Sequence, residues 1–183
     1  GRSTRFMTPP TRGYRLLHRA ALELAVANDC TRPLINPRQS VPYDYVDSPL
    51  TSPGDDAAFA AGPRAGAPLR NVRLGADDYF LDHLGDDFAF VVFGDRPPDG
   101  SEALVARLRA GAPRVRCFLV GPAQAPAGWC AIADPGGRIA ALYDALPGTA
   151  YLARPDGHVA SRWREFALAD VGRAIDAATG RTA

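Results

Sequence analysis

The side chains that could carry thiol chemistry are the three cysteines, Cys30, Cys117 and Cys130. A redox thiol has a lowered pKa and usually lies at the start of a helix. Cys117 falls within the apolar run 115–120 and Cys130 within a possible strand at 129–132, so both are predicted to be small buried hydrophobes. Their odd number and wide spacing predict no disulfide framework and favour a reducing, cytoplasmic environment.

The three histidines, His18, His83 and His158, could act as metal ligands or general bases. They are far apart, on two predicted helices and a predicted hairpin, and no His or Cys pair has the spacing of a metal site. Asp156, His158 and Ser161 follow one another like a triad, but alternate residues of a strand share a face without forming a nucleophile–base chain. The sequence therefore predicts neither a metal site nor a triad.

All 21 basic residues are arginine, which excludes Schiff-base and P-loop lysine chemistry. A basic run comprises Arg107, Arg109, Arg114 and Arg116. Sites for single-stranded nucleic acid interleave such charges with aromatic residues, which are absent here, so a solvated face is the favoured interpretation. The formal net charge of +1 likewise gives no reason to expect a nucleic-acid partner or an anionic membrane.

The element best placed to position chemistry is the apolar run 88–94, followed by the loop 95–100. Consecutive apolar residues predict a central strand buried on both faces, with helices above and below. In α/β sheets, ligands and catalytic groups gather in the loops at the carboxyl ends of such strands. This loop has no Cys, no His and no phosphate-binding glycine pattern. We therefore predict no catalytic, cofactor-binding or metal-ligating residue in this chain.

The elements from residue 88 onward predict the order β-α-β-α-β-β-α. A second apolar strand covers 115–120, a helix covers 138–146, and a hairpin over 150–163 turns at 154–157. A last amphipathic helix covers 168–179. Two parallel strands with a helical crossover, an antiparallel hairpin and a closing helix predict an α/β, thioredoxin-like fold with a central mixed sheet.

The N-terminal third has a different composition. An amphipathic helix is predicted over 11–27, and its apolar face has no neighbouring element in the sequence to cover it. Residues 32–68 are rich in Pro, Gly, Ser and Asp, which is unusual inside a compact domain. We therefore divide the chain into 1–47, a linker at 48–68 and a domain at 69–183.

The sequence gives no sign of a membrane segment or a leader. No apolar run reaches the ~20 residues of a membrane span, and no signal-peptide pattern opens the chain. The only methionine is Met7, so we interpret the sequence as a fragment of a longer chain. The lack of lysine together with abundant Ala, Gly and Pro indicates a GC-rich bacterial genome.

Several segments resemble the FAD-dependent aromatic-ring hydroxylases of the phenylpropionate, resorcinol and phenol hydroxylase type. In the N-terminal part these segments are FMTPPTR (6–12), RLLHRAAL (15–22), RPLIN (32–36) and SPL (48–50). In the C-terminal part they are LGDDF (84–88), VVFG (91–94) and YLARPDGHVASRW (151–163), of which the last is the most specific.

The resemblance implies that residues 1–47 end the FAD- and substrate-binding core, and that 69–183 form a thioredoxin-like domain without redox cysteines. It implies FAD, NAD(P)H and O2 for the parent chain, whose flavin motifs would lie upstream. The upstream domain and a second copy of the chain are the implied partners. Two alternatives remain: a thiol oxidoreductase or peroxidase using Cys117 or Cys130, and a stand-alone dimerisation module.

Overall fold

The computed structural model describes residues 6, 8–28, 43–52 and 54–181. The chain divides into two compact units, Gly1–Pro42 and Tyr43–Ala183. Cys30 and the 32–36 segment lie outside the described residues. None of the described helices is both long enough and apolar enough to cross a membrane.

The first unit contains helix α1, Arg12–Ala27, as predicted. The helix begins after Thr11, whose side-chain oxygen accepts a hydrogen bond from the Tyr14 N–H at 3.3 Å and so satisfies one of the unpaired donors of the first turn. Its buried side chains are Ala21 and Ala25. Several large apolar side chains of α1 are exposed, namely Leu16, Leu17, Leu22, Leu24 and Val26.

The second unit is a five-stranded sheet in the order β3-β2-β1-β4-β5. The strands are β1 Phe88–Phe93, β2 Val115–Gly121, β3 Cys130–Ala133, β4 Ala150–Ala153 and β5 Val159–Trp163. The helices are α2 Phe80–Leu84, α3 Ser101–Ala110, α4 Arg138–Leu142 and α5 Leu168–Ala178. Strands β1, β2 and β3 are parallel, whereas β4 is antiparallel to both β1 and β5.

Strand β1 lies at the centre of the sheet, and all six of its residues are buried. Because successive side chains point to opposite faces, Phe90 and Val92 join the core cluster that contains residues of α3 and α5. Val91 and Phe93 join the cluster on the other face, with residues of α2 and α4. The prediction of a central strand covered by helices on both faces is confirmed.

The α/β fold with a central mixed sheet is confirmed. The parallel β1–β2 pair with α3 between them, the β4–β5 hairpin and the closing helix α5 all follow the predicted order. The hairpin turn is also as predicted, with Gly157 at φ 78° and an irregular register between Leu152 and Ala153. The narrower thioredoxin-like assignment stays a prediction.

Two helices are shorter than predicted. The apolar residues Phe80, Leu81 and Leu84 with Gly85 after them predict a helix over 77–84, but the helix begins at Phe80, because residues before it form a bridge between Arg73 and Tyr79. The run 72–74, from which a short strand is predicted, forms only that bridge. The helix expected over 138–146 ends at Leu142, and Asp144 beyond it adopts a positive φ of 50° that is incompatible with a helix.

The segment predicted as a linker, 48–68, packs along the edge strand β5. The Ser52 N–H donates to the Ala160 carbonyl at 2.8 Å, and the Gly66 N–H donates to the Val159 carbonyl at 2.8 Å. These hydrogen bonds cover an edge that would otherwise expose unpaired backbone groups. The domain limits 1–47, 48–68 and 69–183 stay a prediction, although the compact unit begins at Tyr43.

Candidate functional site

The loop after β1, at the carboxyl end of the central strand, contains a surface ion pair. Arg96 Nη1 lies 3.6 Å from Asp99 Oδ1, and the two side chains are 82% and 89% exposed. Solvent screens such a pair, and its contribution to stability is small. The loop starts at Gly94, whose N–H donates to the Val120 carbonyl at 3.0 Å. The described residues of this loop include two carboxylates, Asp95 and Asp99, and no cysteine or histidine.

The two described cysteines differ in environment. Cys117 is buried in β2, and that burial, with a smaller contribution from Cys130, raises the pKa of its thiol to about 12. Cys117 therefore stays protonated and poorly nucleophilic at neutral pH. The predicted burial is confirmed for Cys117 and wrong for Cys130, which is exposed, because Cys130 opens the edge strand β3.

Each histidine has a local partner. His83 Nε2 lies 2.7 Å from Asp78 Oδ1, and His158 Nδ1 lies 3.2 Å from the backbone oxygen of Asp156. The ring of His18 packs edge-on against Phe6, with 4.9 Å between centroids. Among the residues that the structure describes, no three His, Cys, Asp or Glu side chains form a group that could hold a metal ion.

The triad-like sequence around the hairpin does not form a catalytic chain. The Oγ atom of Ser161 is buried and has no hydrogen-bond partner within the described part of the chain. His158 therefore cannot act as its base in this arrangement. Asp156 instead pairs with the neighbouring Arg154, which stiffens the turn.

The structure divides the basic run into two parts. Arg107 packs against Gly172 of α5. The contact is so close that a Cβ added at Gly172 would lie 2.5 Å from Arg107 Nη2. Arg109, Arg114 and Arg116 instead line one cavity of about 330 Å³. Sequence reasoning missed this convergence, although the crossover from α3 to β2 returns the chain to the end of the sheet where these arginines meet.

A second constellation, which we call the Phe59 cluster, comprises Asp56, Phe59, Asp144, Arg162 and Arg164. The guanidinium carbons of Arg162 and Arg164 lie 4.2 and 3.9 Å from the centroid of the Phe59 ring. Both distances are within the range of a cation–π interaction. Arg162 Nε also donates to Asp56 Oδ1 at 2.5 Å.

Asp144 is the main acceptor of the Phe59 cluster. Its Oδ2 accepts hydrogen bonds from the N–H groups of Ala60 and Ala61 at 2.9 and 3.2 Å and from Arg164 Nη2 at 2.6 Å. Burial alone would raise the pKa of Asp144, but these hydrogen bonds and the Arg164 charge lower it on balance. The carboxylate is therefore ionised and fully engaged in holding the 54–61 segment on the sheet.

Two buried tyrosines continue this network. Tyr151 OH donates to the Tyr143 carbonyl at 2.5 Å, and Tyr143 OH donates to the Arg70 carbonyl at 2.8 Å. Burial raises the pKa of both phenols, so both remain protonated donors. The network gives the unit structural support and presents no proton donor or acceptor to a substrate.

No protein-family model and no curated protein matches this sequence. Several solved structures do match. The substrate-free form of RebC, a rebeccamycin biosynthetic enzyme, is 26% identical with a TM-score of 0.57, over 95% of this chain and 29% of that chain. This chain resembles part of the flavin-dependent aromatic hydroxylases.

Two more flavin-dependent hydroxylases share the fold. Aklavinone-11 hydroxylase in complex with FAD and aklavinone is 23% identical, with a TM-score of 0.57, over 76% of this chain and 26% of that chain. The monooxygenase PieE in complex with FAD and substrate is 21% identical, with a TM-score of 0.57, over 98% of this chain and 32% of that chain. This chain therefore spans 26–32% of the length of these solved chains, and the predicted resemblance is confirmed.

Proposed function

We propose that this chain is the C-terminal structural domain of an FAD-dependent, NAD(P)H- and O2-using monooxygenase that hydroxylates an aromatic compound. The observation that carries the proposal is the 26% identity to RebC over 95% of this chain but only 29% of that chain. The flavin, the nicotinamide and the substrate-oxidising site belong to the remainder of the parent chain, in the cytoplasm.

In this proposal the domain has a structural role in the parent enzyme. The Phe59 cluster holds the 54–61 segment against β5. In the core, the side chains of Cys117 and Tyr143 are protonated because burial raises the pKa of each. We assign no residue of this chain to catalysis, cofactor binding or metal binding. The cavity of about 330 Å³ is at the small end of the ~300–1,000 Å³ that ligand sites occupy, which is small for an intact dinucleotide such as FAD.

The test is the activity of the parent chain. Purified parent protein should carry FAD and oxidise NAD(P)H faster when an aromatic substrate is added, with one oxygen atom incorporated from 18O2 into the product. A parent protein that holds no flavin, or that oxidises NAD(P)H without hydroxylating any aromatic compound in a broad panel, would contradict the proposal.

A stand-alone dimerisation module is the second candidate. It is favoured by the exposed apolar side chains of α1, of which Leu16, Leu17 and Val26 are 62%, 58% and 85% exposed. Large exposed apolar patches on a soluble protein commonly mark interaction sites. In the parent protein the same face would serve either a second copy or the upstream flavin domain.

A further inference from the structure

The cavity between α3, β2 and β3 has walls of one charge. Arg109 comes from the end of α3, Arg114 directly precedes β2, and Arg116 is its second residue. The other lining residues include no acidic or basic side chain, and they are Val115, Cys117, Gly128, Trp129 and Cys130. Like charges brought together in this way repel one another unless an anion lies between them.

One wall of the cavity depends on a glycine. Gly128 has a φ of +92°, and an added Cβ would lie 2.7 Å from Val105 Cγ1 and 3.7 Å from Arg109 Nη1. The backbone can pass this close to Val105, and adopt this positive φ, only because the side chain is absent. The loop before β3 and the end of α3 therefore form a fitted wall.

The three arginines differ in whether their N–H donors already form hydrogen bonds within the chain. Arg116 Nη1 donates to the carbonyls of His83 and Leu84 at 3.3 and 3.2 Å, which holds its side chain in place. Arg114 Nε lies 3.8 Å from Asp87 Oδ2, beyond hydrogen-bond distance. Arg109 is exposed and forms neither an ion pair nor a hydrogen bond within the described residues. The donors of Arg109 and Arg114 thus remain available.

We propose that this cavity, the arginine groove, binds the phosphate or pyrophosphate group of a small molecule. Guanidinium groups form paired hydrogen bonds to phosphate oxygens, with both charge and geometry matched. A volume of about 330 Å³ accommodates a pyrophosphate group. A nucleic-acid strand would require a broader basic surface, whereas the formal charge of the whole chain is +1. This proposal is independent of the proposed function.

The experiment is isothermal titration calorimetry of the whole 183-residue chain with pyrophosphate, at constant ionic strength set with NaCl. The unchanged chain should bind saturably. Arg109→Gln and Arg114→Gln should each weaken binding about tenfold, because each removes charged hydrogen bonds to the anion. The matched control is Arg138→Gln, an exposed arginine at the start of α4 that makes the same charge change, and it should leave the affinity unchanged.

A second measurement locates the ligand. In NMR spectra of the guanidinium Nε–Hε groups, pyrophosphate should shift the signals of Arg109 and Arg114 and leave that of Arg138 unmoved. The proposal is overturned if pyrophosphate does not bind saturably, or if Arg138→Gln loses as much affinity as Arg109→Gln and Arg114→Gln. It is also overturned if pyrophosphate leaves the NMR signals of Arg109 and Arg114 unmoved. A single-stranded oligonucleotide that binds more tightly than pyrophosphate, through the same arginines, would overturn it in favour of a nucleic-acid site.

Discussion

Arg162 Nε lies 2.5 Å from Asp56 Oδ1, although 106 positions of sequence separate the two residues. The Arg162 side chain is only 5% exposed, and its Nη1 also donates to the Ala61 carbonyl at 2.8 Å. A buried guanidinium is tolerated because its donors are satisfied and its charge is paired. The segment before the sheet and strand β5 are therefore one structural unit.

Replacing Asp56 should destabilise this unit. Asp56→Ala leaves the buried Arg162 without its counter-charge, and we expect the free energy of unfolding to fall by about 2–4 kcal/mol. Urea denaturation followed by circular dichroism measures the change. The matched control is Asp99→Ala, which breaks the exposed pair with Arg96 and should cost less than about 0.5 kcal/mol. Equal effects of the two substitutions would mean that the Asp56 pair is not structurally important.

Asp144 should make stability depend on acid pH. Its pKa is lower in the folded chain than its ordinary value of 3.8, so the unfolded chain takes up the proton first as the pH falls. The stabilisation is therefore present above about pH 4 and lost as the pH falls through the folded pKa. Asp144→Asn should be less stable than the unchanged chain at pH 7 and should lose less stability between pH 5 and pH 2. Parallel stability curves for the two proteins over that range would contradict this account.

The cysteines should react with very different rates. In a Cys30→Ser background at pH 8, iodoacetamide should label Cys130 readily, because it is exposed, and label Cys117 only after unfolding in urea. The raised pKa of Cys117, about 12, keeps the reactive thiolate scarce. Peptide mass spectrometry measures both sites. Rapid labelling of Cys117 in the native chain would show that β2 is less protected than the structure indicates.

Serine variants of Cys117 and Cys130 test the thiol oxidoreductase alternative. We expect no insulin reduction and no peroxide consumption by the unchanged chain, and no difference in either assay for Cys117→Ser and Cys130→Ser. Activity that disappears with one of the two substitutions would favour the thiol enzyme over the structural domain.

The exposed face of α1 should govern self-association. Leu16→Glu combined with Leu17→Glu places charges on that face, and we expect any dimer of this chain to dissociate because the apolar contact is lost. Multi-angle light scattering gives the mass of the species. The control Arg15→Glu changes an exposed residue of the same helix and should leave the mass unchanged. A dimer that persists in the double variant would exclude this face as the interface.

The parts of the fold that could be predicted are those encoded by local patterns. The apolar runs around Val91 and Phe118 identify central strands because no solvent-facing residue interrupts them. The turn at 154–157 is predicted by Pro155, which fixes a φ suited to the turn, and by Gly157, which tolerates a positive φ. An apolar run does not distinguish a central strand from an edge strand, and the sequence pattern around Cys130 therefore predicts burial that the edge position of β3 does not provide.

The remaining features depend on tertiary contacts. The Pro- and Gly-rich composition of 48–68 indicates a lack of regular structure, but it says nothing about packing, and so the hydrogen bonds of Gly66 to β5 were not predicted. The pairing of Asp56 with Arg162 leaves no periodic signal because the partners are distant in sequence. The arginine groove likewise depends on where the α3–β2 crossover places Arg109.

The most direct test of the account is an FAD titration of this chain alone beside the parent protein, followed by flavin absorbance and fluorescence after gel filtration. We predict that the parent protein retains flavin at one FAD per chain, whereas this chain retains none and does not oxidise NADPH. A yellow complex formed by this chain alone, or NADPH oxidation by it, would contradict the claim that the catalytic site lies elsewhere in the parent protein.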